Sequence, residues 1–469
     1  MPAPCCRRPG RPARVADLRT VTLHDTLTGE LLPLTPELPP RVRIYVCGPT
    51  VYGRVHVGNA RPFVVFSLMK RFLEREGYEV VLVSNITDIN DKIYIAAERE
   101  GVPSDRLADA MAAAYVADTD RFGLGRPDRE PLASATMDEI VRLIERLVST
   151  GHAYAAGGDV YFSVRSYPRY GELSHRDVEQ MDQGEGVEGA DRKRDPLDFA
   201  LWKARKPGED TWWPSPWGEG RPGWHIECSA MAESLLGVGF EIHGGGSDLI
   251  FPHHENEAAQ TCAARGRSLA RLWVHVGMVR LDSEKMSKSI GNVFMLGEAL
   301  QRHGPQTLLT YFCSGHYRQP LEYDEDRLRE AAARAAGIRN TARRLAPGPS
   351  PEWSAPLRER FFDALAADFN TPRALAVVSE WERTANGHEA GTVGSDDLRL
   401  MLDVLGLAGL VDVGPEPVDE RAAALAQRRE QARRERDWAQ ADRLRDELRE
   451  LGWEVRDGPA GPELLRPGA

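Results

Sequence analysis

RVRIYVCGPTVYGRVHVGNARPFVVFSLMKRFLEREGYEVVLV, residues 41–83, carries the pattern that decides the fold. Val42 to Val46 is a β-branched and aromatic run closed by Gly48-Pro49, which reads as a strand. Gly48 to Val57 is a loop, Ala60 to Glu76 has apolar residues at helical spacing, and Val80 to Val83 is a second strand. Strand, lengthened loop, helix and strand make a βαβ unit, which joins two parallel strands.

Outward from this unit, helical stretches run from Pro103 to Thr150. The chain then turns rich in Gly, Pro, Trp and charge over residues 156–222, with one strand-like run at Asp159 to Val164. Alternation of strand and helix returns at Gly223 and closes with an apolar strand, Leu272 to Leu281. These features predict an α/β fold in which a split, Rossmann-like parallel sheet (residues 20–155 and 223–300) is interrupted by a connective insertion (156–222). Residues 301–346 follow, then a helical domain (347–413) opened by Pro347, Pro349, Pro351 and Pro356, and a small C-terminal domain (414–469). Residues 1–19 hold prolines and arginines without periodicity and read as a loose extension. In the tail Trp438, Ala441, Leu444, Leu448 and Leu451 recur at helical spacing as an apolar stripe, and Arg421 to Arg449 is rich in arginine. By itself that segment also fits a charged, solvated helix.

At 469 residues the chain is too long for one core, and about three or four domains are expected. No apolar run approaches the roughly 18 residues of a membrane span, so a cytosolic protein without a membrane partner is expected. Six scattered cysteines in a reducing compartment favour metal or catalytic roles over disulfides. The net charge of −11 excludes indiscriminate coating of polyanions and leaves a nucleic-acid role to local basic patches. Lysine is scarce: arginine supplies 53 of the 60 basic residues, yet two of the seven lysines fall within Lys285 to Ser289.

Four strings carry chemistry. His56-Val-Gly-Asn59 stands at a helix mouth, where unpaired N–H groups and a partial positive charge suit a phosphate; alone it also fits a histidine in a surface turn. Lys285-Met-Ser-Lys-Ser289 puts two ammonium groups on a loop, able to neutralise charge as pyrophosphate departs. His243-Gly-Gly-Gly-Ser-Asp248 lets a planar base and ribose approach the backbone, with Asp248 placed to take ribose hydroxyls. His253 and Glu257 sit one turn apart on a predicted helix, as metal ligands require, and Cys228 opens another helix. Spacing does not show that Cys47, Cys228, His253 and Glu257 converge.

Together, Tyr45 to Tyr52, Gly223 to Met231, His243 to Glu257 and Lys285 to Ser289 resemble the cysteinyl-tRNA synthetases, a class I family marked by a HIGH-type loop and a KMSKS loop. Asn59 departs from the general HIGH pattern in a way that the cysteine branch shares. The likeness continues through Asp368-Phe-Asn-Thr-Pro372, similar to that family's DALR-type helical domain, and Asp437-Trp-Ala439 in the tail. It implies an ATP- and Mg2+-dependent ligase that activates L-cysteine and charges tRNA(Cys), with a stem-contact region at 301–346, an anticodon-contacting tail and a monomer as the expected state. It assigns one Zn2+ to Cys47, Cys228, His253 and Glu257, phosphate chemistry to His56, Asn59, Lys285 and Lys288, adenylate contacts to Gly48, His243, Gly245 and Asp248, and cysteine contacts to Thr87, Trp224 and His243. Cys262 and Cys313 match no ligand string and read as buried small hydrophobes.

A metal suits the task, because a shape-only pocket separates small side chains by only about 10 to 200-fold, whereas zinc prefers a thiolate to a hydroxyl. Four protein ligands also fit a closed structural site, and that alternative stays open. Two further readings are a cysteine ligase of mycothiol synthesis, against which the tail and Gly48-Pro49-Thr50 count, and a non-catalytic RNA-binding paralogue, which would lack some of the phosphate or zinc residues.

Overall fold

Val42, Ile44, Tyr45 and Val46 are all buried, so their strand lacks the polar alternation of a half-exposed sheet and belongs at the centre of a covered one. The computed structural model describes residues 19–180, 191–281, 284–285, 294–412, 420–458 and 461–465. Most of the predicted extension, and Lys288, lie outside the described residues, as does the side chain of Lys285. Strands Ala270–Val276, Phe240–Gly246, Arg41–Val46 and Glu79–Ser84 lie side by side in that order, all parallel. Helix Val57–Arg75 makes the first crossover.

From Arg41–Val46 the chain steps outward to Glu79–Ser84; it later returns to the other side of Arg41–Val46 and steps outward in the opposite direction. That reversal opens a crevice at the carboxyl ends of Arg41–Val46 and Phe240–Gly246, the place where open α/β sheets bind ligands. Cys47, just past the first of these strands, donates its backbone N–H to Gly244 at 2.9 Å. Tyr45 and Cys47, two residues apart, share a face, and the core they join includes Ile226 and Cys228 of helix Trp224–Leu236 and Ala259 of helix Glu255–Arg265.

Two expectations need correction. The insertion, read as holding one strand-like run, supplies three strands, Asp159–Phe162, Phe199–Ala204 and Gly220–Pro222, to an antiparallel sheet completed by Ala153–Ala156. Phe199 to Trp202 are all buried, which removes the period-2 signal. Arg221, 2% exposed, ties this sheet to helix Asp91–Glu100 by pairing with Asp91 and with Glu209 at 3.1 Å. The apolar run Leu272 to Leu281 is not one strand: it breaks after Val276, where Gly277 N–H turns to Tyr317 O at 2.7 Å, and Val279–Leu281 joins a separate small sheet with Glu284–Lys285 and Leu321–Glu322.

The described chain divides into two compact units. The first runs to Arg302 and also takes Gly315–Tyr323 and Asp363–Pro372; the second takes His303–Ser314, Asp324–Phe362 and the chain from Arg373. In the second unit, Trp381 is fully buried and donates to Ser354 Oγ at 2.6 Å. Its last segment packs helix Glu420–Arg434 on helix Trp438–Glu450, with strands Glu454–Gly458 and Gly461–Leu465 as a hairpin, around Leu425, Leu444, Leu448 and Trp453. The stripe holds from Ala441 onward, but Trp438 is 60% exposed. As the first residue of its helix, one turn ahead of Ala441, it precedes the buried stripe.

Glu382, half-buried on helix Thr371–Asn386 and reached by Thr341 Oγ1 at 3.4 Å, has its carboxyl pushed up to about 7 by burial. The folded state therefore keeps a proton that the unfolded chain loses near pH 4.3. Its contribution to stability falls as pH rises through that window and is constant above about 7. Glu382→Gln should stabilise the fold at pH 8 by up to about 3 kcal/mol, less the part screened by solvent, and so raise the unfolding temperature there while leaving it unchanged at pH 4. Equal melting shifts at both pH values, followed by circular dichroism, would contradict this.

Candidate active site

Glycine is required where the first strand ends. A Cβ on Gly48 would lie 1.7 Å from Asn85 O, and the Gly48 N–H donates to Asn85 Oδ1 at 2.9 Å. This close approach aims Cys47 across the crevice toward helices Trp224–Leu236 and Glu255–Arg265. The ligand atoms of Cys47, Cys228, His253 and Glu257 lie within 4.8 Å of one another, and all four residues are buried. His253 Nε2 is 3.1 Å and Cys47 Sγ 3.3 Å from Glu257 Oε1. His253 precedes the regular helix, which starts at Glu255 after an irregular turn Ile250–His254 in which Phe251 is non-helical, and the expected His253–Glu257 approach holds across that junction.

The electrostatics suit a cation. The two thiols titrate as a pair: the hydrogen bond from Cys47 brings the Cys228 thiol down to about 6, while burial pushes the Cys47 thiol up. Burial alone would raise Glu257; His243 and His253 together outweigh it and hold the carboxyl low. Its buried Oε2 finds no hydrogen bond among the described residues. Two thiols and a carboxylate at these distances repel once ionised, and a dication is what such a set lacks. His225 Nδ1 lies 3.0 Å from His253 Nδ1 and fixes that ring with Nε2 toward Glu257, as outer partners of metal-binding histidines do. The donor set, soft sulfur with imidazole and carboxylate, fits zinc.

A cavity of about 260 Å³ opens beside the cluster. Of the sequence-predicted residues, Cys47, Gly48, His56, Asn59, Trp224 and Asp248 line it. Thr87, His243 and Gly245 are buried but not on its wall. His243 sits against the metal-type cluster, 3.4 Å from Glu257 Oε2 and stacked on Tyr45 at 5.3 Å. Thr87 fixes the loop from behind, with Val51 N–H donating to its carbonyl at 3.1 Å. Trp224 stacks on His253 at 4.4 Å. His56 is the N-cap of helix Val57–Arg75, and Asn59 Oδ1 accepts the His56 N–H at 3.2 Å, closing that helix end.

The described residues that flank the segment holding Lys285 and Lys288 lie beside His56. Arg280–Leu281 pairs with Glu284–Lys285 on one side, and on the other Val57 N–H donates to Phe294 O and Leu296 N–H to Val55 O, both at 3.0 Å. The structure also brings in residues that sequence reasoning missed. Lys92 lines the cavity with its ammonium 5.6 Å from the Tyr52 ring centre; its only signal was the scarcity of lysine. His254 and His275 meet at 2.7 Å behind the cluster, and burial holds His275 neutral, down to about 3. Cys313 is buried as predicted, its thiol pushed up to about 12, whereas Cys262 is half-exposed. Among the described residues no helix is long and apolar enough to cross a membrane.

Comparison with known proteins follows the same outline. A family model for the class I (C) tRNA synthetase catalytic domain matches residues 34–333, and one for the cysteinyl-tRNA ligase anticodon binding domain matches residues 416–461. A cysteine–tRNA ligase of Alkalilimnicola ehrlichii is 46% identical over 95% of this chain and 99% of its own length. One of Pseudothermotoga lettingae is 43% identical over 93% and 97%. The fold resembles that of Mycobacterium tuberculosis methionyl-tRNA synthetase in complex with methionyl-adenylate, with TM-score 0.57 at 16% identity over 79% of this chain and 90% of that one.

Proposed function

The chain belongs to the cysteine–tRNA ligase family of class I aminoacyl-tRNA synthetases, and we propose from this that it activates L-cysteine with Mg-ATP and transfers it to the terminal adenosine of tRNA(Cys) in the cytosol. The observation that carries the reading is the buried meeting of Cys47, Cys228, His253 and Glu257 beside a cavity edged by His56 and Asn59. Bound there, zinc would supply a soft Lewis acid that favours the substrate thiolate over the neutral hydroxyl of serine.

The chain's own residues do the rest. Cys228, already low at about 6, meets a metal with little cost in protons. Trp224 packs over His253 and walls the amino-acid end of the cavity, Thr87 holds the Pro49-Thr50 loop in place, and His243 backs Glu257. Proposed contacts for the adenylate come from Gly48 and Asp248, with Gly245 shaping the strand end behind them. The cysteine carboxylate attacks the α-phosphate and pyrophosphate leaves. His56 and the helix end that Asn59 closes stabilise charge on the phosphate oxygens, and Lys285 and Lys288 neutralise the departing pyrophosphate. A ribose hydroxyl of the tRNA then attacks the acyl carbon, the ester forms, and AMP leaves as the hydroxyl gives up its proton. Cysteine-dependent exchange of pyrophosphate into ATP, followed by charging of purified tRNA(Cys), tests the reading; no exchange with cysteine would refute it.

In the tail, exposed Trp438 offers a face for stacking an anticodon base and the arginines offer phosphate contacts. Trp438→Ala should weaken tRNA binding by about 1–3 kcal/mol and leave cysteine-dependent exchange unchanged. Truncation after Val413 should likewise spare activation but cripple charging. Filter binding across a salt series checks both, and normal charging by the truncated chain would remove the tail from tRNA recognition.

A further inference from the structure

Arg61 stands two residues past the His56-to-Asn59 string, and the chemistry above makes no use of it. Its side chain is fully buried. The guanidinium donates to four backbone carbonyls: Nη1 to Gly277 O at 2.6 Å, to Gln319 O at 2.8 Å and to Met278 O at 3.5 Å, and Nη2 to His316 O at 3.0 Å. Burying a cation is costly, and a planar fork is the group that can satisfy several fixed acceptors at once.

Those carbonyls belong to two stretches that already touch. Gly277 to Val279 forms a wall of the cavity. Residues 316–321 brace it from behind: Gly277 N–H donates to Tyr317 O at 2.7 Å and Leu321 N–H to Met278 O at 2.9 Å. The approach is close enough that a Cβ on Gly277 would lie 2.4 Å from Gln319 O. One side chain therefore joins the helix whose first turn carries His56 and Asn59 to a neighbouring stretch of the cavity wall, where a Cβ on Gly58 would lie 3.6 Å from Val279 Cβ. The cysteine end, with Cys47 and Trp224, rests on other elements.

We propose that Arg61 is a positioning residue for the nucleotide: by fixing Gly277 to Val279 against the start of the Val57–Arg75 helix, it sets the width of the slot that ATP enters. This rests on reading the cavity as the ATP site. A misplacement on the scale of 1 Å costs up to about 100-fold, so Arg61→Lys, which keeps the charge but loses the fork, should raise the KM for ATP by about 10 to 100-fold. The KM for cysteine should stay within about twofold, because a sulfur site built on other elements does not sense the slot width.

The experiment is cysteine-dependent pyrophosphate exchange by the full, zinc-loaded chain, with ATP and cysteine varied separately. Absence of exchange in the wild type would sink the functional reading itself. Wild-type exchange with an unchanged ATP KM in folded Arg61→Lys, or with both KM values raised by the same factor, would overturn the inference alone. If circular dichroism finds Arg61→Lys unfolded, hydrogen exchange on the wild type decides. A non-hydrolysable ATP analogue should protect the amides of residues 277–281 and 316–321 together, and protection of the first stretch without the second would overturn it.

Discussion

Cys228→Ala should lose the metal and cysteine activation in one step. The substitution leaves Cys47, His253 and Glu257, and it removes the thiol that is most readily ionised in the site. A third of the anionic donors goes with it, while Glu257 stays buried with an oxygen that has no hydrogen-bond partner among the described residues. Metal content by mass spectrometry should fall from near one zinc per chain to near none after dialysis. Cysteine-dependent exchange should fall by about 1,000-fold or more, which corresponds to about 4 kcal/mol of lost transition-state stabilisation. Cys228→Ser should behave alike, since a hydroxyl does not ionise where a thiol does. Cys262→Ser, at a half-exposed position outside the cluster, should change neither quantity. A Cys228→Ala protein that keeps its zinc would remove Cys228 from the ligand set.

Lys288→Ala should slow adenylate formation by about 100 to 1,000-fold, the usual effect of losing one charge-stabilising group. The ends of its loop are tied to Leu281 on one side and to Val55 and Val57 on the other, next to His56. In the proposed role, Lys288 acts on charge that develops only as pyrophosphate leaves. The rate should therefore fall while the KM for cysteine holds steady. Rapid-quench single-turnover assays on a variant shown to be folded would measure this; a wild-type rate would strip Lys288 of the role.

Much of the fold was legible in the sequence because its core is encoded locally. Arg41–Val46, Val57–Arg75 and Glu79–Ser84 agree to within a few residues with the strand, helix and strand read from residues 41–83. What local pattern cannot encode is a meeting of distant residues. Cys47 and Glu257 are 210 positions apart, and only the reversal of strand order beside Arg41–Val46 brings them together. The same limit explains the errors: Phe199–Ala204 is too buried to alternate, Gly277 turns away to Tyr317, and Trp438 has the spacing of a core residue but sits at the open end of its helix. Arg61 was silent because its partners are backbone carbonyls, which no side-chain pattern marks.

In the proposed function, a metal held by Cys47, Cys228, His253 and Glu257 selects cysteine by its sulfur. Pyrophosphate exchange by the zinc-loaded chain with cysteine and then with serine, compared as kcat/KM, tests this selection. Shape alone separates such substrates by about 10 to 200-fold. A sulfur-selecting metal predicts a ratio of about 10,000 or more, since a site built for one polar group rejects its analogue by that factor. A ratio within the range that shape can supply would contradict the claim and leave the four residues a structural site.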